Sequence, residues 1–540
     1  MADVEQVMVV GAGLAGLRTA EELRTRGYAG RIALIGAETR PPYDRPPLSK
    51  KVLTEADPPD PSLRADFAAL DVDFRPGHEV TSLGELGHWD RLVLATGALP
   101  VTLPGPGPQR VLRTHDDALA LREVLKPGVR LAVIGAGWIG AELATAAVGR
   151  GCEVTVVEAG VTPVAGAVSP AIGAQMARWY EEAGVDLRVE TPVESVEDGG
   201  LALRGGDWVG ADEIVTAVGV RPAVGWLAGT DGLALDSAAG VGGVAVDGGL
   251  RASLPGVFAV GDCAAFWSSR FGRRLRFEHW DVALHAPEVV AANVLGGDEV
   301  YDPVPYFWSE QFGRMVQYAG YHGDAADLVW RGDPAQDPKW AACWVSADVP
   351  PRLVAILTVG RPRDLIQGRQ LIDSRAGIDV QRLADPAVAV KDARLRGDAP
   401  ARLGSHVGCL NFALTWHIGV VAQIDPATDS LIGEWMTLNE VAGQLGVPTG
   451  RVKQMLRDRK LLAVSRPDGK TSVPAAFLDG NQVVKGLPGT LTLLFDCGFS
   501  EVEALRWLFT ADDTLPGTPI DAIARHRGTE VNRRAQALAF

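Results

Sequence analysis

The stretch "VMVVGAGLAG", Val7–Gly16, sets four apolar residues before three glycines spaced G-x-G-x-x-G. The apolar run reads as a strand, and Gly11 permits the tight turn that follows it. Gly13 lets the backbone approach a pyrophosphate, and Gly16 lets the next helix pack close, with phosphates over its N-terminus. That helix is expected over Ala15–Arg26, ending near Gly27. A second strand, "RIALIG", then leads to Glu38, 22 residues after Gly16, where a ribose-binding carboxylate belongs.

The pattern recurs. "VRLAVIGAGWIG" puts Gly135, Gly137 and Gly140 after another apolar strand, and "CEVTVVE" ends on Glu158, 18 residues past Gly140. Two such cradles imply two dinucleotides, which suits a flavin as fixed electron store and a nicotinamide that delivers hydride. A carboxylate at Glu158 accepts ribose hydroxyls and repels a 2′-phosphate. No arginine follows it in "EAGVTP", so NADH is favoured over NADPH.

Composition bounds the rest. A chain of 540 residues calls for three or four domains, and 47% hydrophobic with 22% charged residues is ordinary for a globular protein. Met1–Gln6 is acidic and leads at once into a strand, so no signal peptide is expected. The longest apolar stretch, Leu410–Ile424, contains Asn411 and His417 and is too short to span a bilayer; a soluble, cytoplasmic protein without membrane contact is expected. Cys152, Cys263, Cys343, Cys409 and Cys497 are scattered, which speaks against a metal site and against an adjacent redox pair. The net charge of −15 divides unevenly. Met436–Phe540 holds 13 Lys/Arg against 11 Asp/Glu, net +2, so residues 1–435 carry −17, as two fused modules would.

Further segments narrow the first module to a family. "PPYDRPPLSK" (Pro41–Lys50), "VFAVGDCA" (Val257–Ala264), "FEHWDVA" with "VPYFWSEQF" (within Phe277–Phe312) and "GRPRDLIQGRQLI" (Gly360–Ile372) occur in order. Together they resemble the FAD-dependent ferredoxin reductases of oxygenase systems, the putidaredoxin and rhodocoxin reductase type, over residues 5 to 392. The resemblance implies an FAD domain split by an inserted NADH domain, with "LATGALP" (Leu94–Pro100) leaving it and "TAVGVRP" (Thr216–Pro222) returning. It implies roles for Arg45 and Lys50 near the flavin, Asp262 on its ribityl or pyrophosphate part, and Trp280 beside its ring. Ala15, Val80, Gly97 and Gly219 complete the implied cofactor-binding set. A core tryptophan and a surface arginine are the plain alternatives at Trp280 and Arg45. Ala37 stands where members commonly carry an acid, Leu99 where they often carry arginine, and Val80–Leu92 is shorter than their usual excursion.

No catalytic side chain is required, because the flavin is the reaction centre. No cysteine lies near Lys50, which disfavours disulfide chemistry. The resemblance implies a two-iron ferredoxin as acceptor.

The tail reads differently. Thr437 with Glu440 forms a capping box, Leu438, Val441 and Leu445 share a helix face, and Gly446 turns the chain. Pro448 opens a second helix through Arg459, and "LLAVSRPDGKTSV" reads as a two-stranded wing around Pro467–Gly469. This is a winged helix-turn-helix, and seven basic against two acidic residues from Pro448 to Lys470 suit DNA phosphates. Arg451, Lys453, Arg457, Arg466 and Lys470 are the candidate contacts, beside Arg459 and Lys460; a solvated face on a protein-docking domain is the alternative. "FLDGNQVVKGLPGTLTLLFDCGFSEVEALRWLFTADDTLPGTP" and "RGTEVNRRAQALAF" resemble a small actinobacterial winged-helix DNA-binding family over about residues 424 to 540.

The expected architecture is α/β with two Rossmann-like domains. Residues 1–105 and 223–300 form the FAD domain, 106–222 the NADH domain, 301–392 an α+β reductase C-terminal domain, 393–430 a linker, and 431–540 the winged helix-turn-helix. Three functions stay open: an NADH:ferredoxin reductase with a tail as passenger or tether, a flavin-based redox-responsive DNA-binding regulator, or two proteins joined by a misread gene boundary.

Overall fold

The computed structural model describes residues 4–63, 65–238, 242–395, 424–457, 460–466, 470–496, 499, 501–512, 515 and 517–538. The wing tip Pro467–Gly469, Arg459, Cys409, Cys497 and the apolar stretch from Leu410 up to residue 423 lie outside the described residues, as does the expected linker between residues 396 and 423. The chain divides into two compact units, Met1–Arg396 and Gly397–Phe540.

In the first unit, Gln6–Val10 is the middle strand of a five-stranded parallel sheet. Arg31–Gly36 and Val72–Pro76 lie on one side of it, and Arg91–Leu94 and Val257–Ala259 on the other. Both faces are covered, so Val7, Met8, Val9, Leu92, Val93 and Leu94 are buried, which explains the unbroken apolar runs. The first helix spans Leu14–Thr25, one residue earlier at each end than the sequence reading. A second parallel sheet orders Glu213–Thr216, Arg130–Ile134, Glu153–Val157 and Asp186–Arg188, with the helix Trp138–Gly149 after its glycine turn.

Ala98–Pro100 and Val220–Pro222 pair antiparallel. These are the two segments read as the chain leaving and re-entering the first sheet's domain. Val257–Ala259 then returns to that sheet beside Arg91–Leu94. Tyr306–Gln311, Arg314–Gly320, Leu353–Val359, Trp340–Val345 and Asp327–Arg331 form an antiparallel sheet in that order, covered by the helix Pro362–Ser374. Cys152, Cys263 and Cys343 are buried and free.

The second unit begins, among the described residues, with Ile424 buried and a helix over Pro426–Ile432. The segment expected as linker up to residue 430 thus already belongs to this unit: Ile424 N–H donates to the Ser465 carbonyl at 3.1 Å, and Arg506 donates to Asp425 at 2.5 Å. Thr437 and Glu440 form the expected capping box before Leu438–Leu445, and Gly446 ends that helix at φ 67°. The second helix is Thr449–Arg457, so Pro448 precedes it. Val464–Ser465 and Thr471–Pro474 form the wing, joined by a third strand, Trp435–Thr437. Among the described residues four helices follow, Leu487–Asp496, Glu501–Phe509, Pro519–Ala524 and Gly528–Leu538. Among the described residues, no helix is long and apolar enough to cross a membrane.

The first glycine turn separates packing from function. Gly11 has φ 110°, and a Cβ there would lie 2.1 Å from the Ala95 carbonyl oxygen, whereas a Cβ on Gly13 meets nothing within 4 Å. Gly11→Ala is therefore expected to lower unfolding free energy by about 3 kcal/mol or more, and Gly13→Ala by less than about 1 kcal/mol. Denaturant unfolding followed by circular dichroism checks this, and equal costs would contradict it.

Candidate functional site

Both glycine turns open onto one cavity of about 1380 Å³ in the first unit. Of the residues expected to bind cofactors, Gly11, Gly13, Ala15, Glu38, Arg45, Lys50, Val80, Gly97, Gly135, Gly137, Glu158, Gly219, Asp262 and Trp280 line it. Gly16 and Gly140 do not. They lie beneath the turns, where a Cβ would come within 1.9 Å of the Gly11 carbonyl oxygen and 2.0 Å of that of Gly135. Their role is the close approach of helix to turn, as their spacing implies.

The helices Leu14–Thr25 and Trp138–Gly149 start at Gly13 and Gly137, and neither start carries a side-chain cap. Their first backbone N–H groups are donors that an anion in the cavity can satisfy. The cavity's size, the open space over Gly13 and these uncapped donors all fit dinucleotides.

Three of the expected residues, Glu38, Arg45 and Asp262, are linked by Arg113, which the sequence reading missed. Arg45 donates to Glu38 at 2.8 Å and also to the carbonyl of Arg113. Arg113 in turn donates to Asp262 at 2.7 Å. Tyr43 donates to the other Glu38 oxygen at 2.5 Å, and burial pushes its phenol up to about 12. Gly261, at φ 75°, would place a Cβ 3.2 Å from that of Ala15, so Asp262 sits close to the first helix.

Lys50 is fixed by a buried carboxylate that was also missed. Its ammonium lies 2.7 Å from Glu142, which is only 4% exposed. Glu142 further accepts from Ser49 at 2.5 Å, from Ser309 at 2.7 Å and from the Glu310 N–H at 3.2 Å. Trp280 donates through Nε1 to Asp44 at 2.5 Å and meets Trp308 edge-on with centroids 5.8 Å apart. Beside it, burial pushes the His279 imidazole down to about 4, so the ring is neutral near pH 7. Burial also raises the Glu278 carboxyl above its usual range, with Arg276 opposing.

At the second cradle, Glu158 accepts from the Ala136 and Gly160 N–H groups, each at 2.7 Å. A carboxylate has about four lone-pair sites, so capacity for ribose hydroxyls remains. Among the described residues no cysteine lines the cavity, and Cys263, next to Asp262, is fully buried.

In the second unit, Arg451 and Lys453 are exposed on the second helix while Val452 is buried. Lys470 is exposed as well. Arg466 is not a free cation: it donates to both oxygens of Asp429 at 2.7 and 3.0 Å and lies over the Trp435 ring. The Arg457 side chain lies outside the described residues.

Comparisons with known proteins agree with this geometry. Residues 5–286 match the family described as "Pyridine nucleotide-disulphide oxidoreductase", and 306–394 match "Reductase C-terminal". Residues 423–478 match "DNA-binding protein Rv2175c, wHTH domain", and 484–539 match "Rv2175c C-terminal domain of unknown function". The ferredoxin–NAD(+) reductase component of the anthranilate 1,2-dioxygenase system of Burkholderia cepacia is 37% identical over 71% of this chain and 98% of its own length. The structure of Fdr9 is similar at 46% identity and TM-score 0.67, covering 72% of this chain and 99% of that one. The putidaredoxin reductase–putidaredoxin complex is similar at 30% identity and TM-score 0.66, covering 72% and 98%.

The Lys50–Glu142 pair yields a stability test. Lys50→Met leaves a buried carboxylate without its cation and is expected to cost about 3 kcal/mol. Adding Glu142→Gln removes the stranded charge and should recover most of that loss. Chemical unfolding of both variants decides it, and a double variant no more stable than the single one would contradict the pairing.

Proposed function

Because this chain belongs to the pyridine nucleotide-disulphide oxidoreductase family, within its ferredoxin–NAD(+) reductase branch, we propose that it takes hydride from NADH and passes electrons to a two-iron ferredoxin. The observation that carries this reading is the single cavity onto which both glycine turns and both acid-ended strands open. The enzyme uses FAD and NADH. FAD, when bound, supplies the step from hydride uptake to single-electron release, which no side chain here can perform.

The side chains bind and orient. Gly11, Gly13 and Ala15, with Gly16 packed beneath, would receive the FAD pyrophosphate, and Glu38 its ribose. Asp262, held by Arg113, would bond the ribityl chain or pyrophosphate. Arg45, Lys50, Val80, Gly97, Gly219 and Trp280 would flank the flavin, with Lys50 held in place by Glu142. Gly135, Gly137 and Gly140 would cradle NADH, and Glu158 would accept its adenosine ribose hydroxyls. The absence of a cavity-lining cysteine among the described residues supports a protein carrier over a disulfide as acceptor. A cytoplasmic location belongs to the same reading, since NADH and DNA are both found there.

The test is direct. Purified chain is expected to be yellow and to reduce a two-iron ferredoxin and ferricyanide with NADH, while small disulfides are reduced far more slowly. Asp262→Ala should weaken FAD binding by about tenfold or more, because it removes a charged hydrogen-bond partner. Efficient disulfide reduction, or a colourless protein that FAD cannot reconstitute, would overturn the reading.

The winged helix-turn-helix gives the chain a second partner, DNA. Arg451 and Lys453, exposed on the second helix, support phosphate contacts there, with Lys470 on the wing. Each neutralised phosphate contributes about −0.9 to the slope of log affinity against log salt, so two to four contacts give about −2 to −4. The acidic first unit, net −14 over residues 1–396, weakens binding most at low salt. In titrations of labelled duplex with full-length chain, Arg451→Ala and Lys453→Ala should each flatten the slope by about 1, and Arg466→Ala by less. A slope unchanged in all three variants would favour a protein-docking module.

A further inference from the structure

Among the described residues four arginines line the cavity, and three are held by carboxylates: Arg40 by Asp116, Arg45 by Glu38 and Arg113 by Asp262. The fourth, Arg204, makes no side-chain hydrogen bond or ion pair among the described residues. It lines the cavity together with Glu158, Thr191, Pro192 and Val193.

The local backbone presents Arg204 firmly. It opens the turn between Gly200–Leu203 and Trp208–Gly210, with Gly205 at φ 112° and Gly206 at φ 95°. Leu203 N–H donates to Asp207 at 2.9 Å and Gly206 N–H to Leu203 at 3.0 Å, closing the turn. Leu201, Leu203 and Val209 below it are buried in one core with Ile134 and Val157, the strand ends beside the second glycine turn. Arg204 N–H donates to the Pro192 carbonyl at 2.9 Å, and neighbouring Thr191 donates to the Glu158 carbonyl at 2.9 Å. Backbone bonds thus tie the hairpin carrying Arg204 to the end of the strand carrying Glu158.

We propose that Arg204 is a specificity-determining residue that receives a 2′-phosphate on the adenosine ribose of the nicotinamide coenzyme. Glu158 favours a ribose with free hydroxyls and repels a phosphate. The Arg204 guanidinium, lining the same cavity, supplies planar donors that bind phosphate oxygens bidentately and offset that repulsion. The site therefore discriminates against NADPH less sharply than Glu158 alone would dictate. The cation comes from a hairpin more than 40 residues after the glutamate, not from the turn that follows it. This inference rests on reading the second cradle as the coenzyme site.

The experiment measures binding of two fragments, 5′-ADP and 2′,5′-ADP, to the full-length FAD-loaded chain by calorimetry, without turnover. Arg204→Ala is expected to weaken 2′,5′-ADP by about tenfold and 5′-ADP by less than about twofold. Arg204→Lys should restore part of the difference. In a Glu158→Gln background, where the repelling charge is gone, the Arg204→Ala loss should persist for 2′,5′-ADP. Equal losses for both fragments, or none, would overturn the role of Arg204 and leave the coenzyme site standing. Failure of wild type to bind either fragment, or of NADH to displace 5′-ADP, would remove the site and the inference together.

Discussion

Two helices of the first unit begin on glycine with no side chain over their first N–H groups, at Gly13 and Gly137. Among the described residues, three other α-helices are closed by capping boxes, Thr114 with Asp117, Thr437 with Glu440, and Thr518 with Asp521. Pro170–Glu182, Trp280–Val294 and Pro362–Ser374 start on non-glycine residues without a side-chain cap. Leaving four donors unmet at a helix start costs stability unless water or a ligand meets them. The starts at Gly13 and Gly137 both face one cavity, and each follows an interior strand of a parallel sheet. The glycine turns and the acid at the end of each second strand, Glu38 and Glu158, line the cavity beside those open donors.

The rest of the first unit is fastened around the cavity by charges. Glu142 is buried on the helix of the second cradle, yet its partners come from two other places: Ser49 and Lys50 on the segment after the first cradle, and Ser309 and Glu310 on the antiparallel sheet. The chain Glu38, Arg45, Arg113 and Asp262 does the same on the other side, joining the first strand-end acid to the returning segment. In a low-dielectric setting such pairs contribute little net stability, but breaking one leaves a stranded charge. They therefore act mainly to specify how the segments meet.

What was legible in the sequence was local. Strand, glycine turn and helix lie within a few residues, and so do the Thr437 capping box and the Gly446 turn, so period and spacing reveal them. The segments that carry the family resemblance located Lys50, Asp262 and Trp280. Glu142 and Arg113 were not found, because their partners Lys50 and Asp262 lie 92 and 149 residues away in the chain. Arg204 sits in a hairpin turn whose sequence, "LRGGDW", signals only a turn. In the tail, counting charge placed Arg466 on the DNA-facing stripe, but its Asp429 partner precedes the helix-turn-helix and occupies its guanidinium. Charge counts locate a basic region; pairing decides which of its cations are available.

The central claim is that two cradles opening on one cavity bring a nicotinamide against a bound flavin. Anaerobic titration of the FAD-loaded full-length chain with NADH, followed by flavin absorbance, tests it most directly. The account predicts complete bleaching at one NADH per chain, with no thiol reductant present. A flavin that NADH leaves oxidised, or that is reduced only after a dithiol is added, would contradict it.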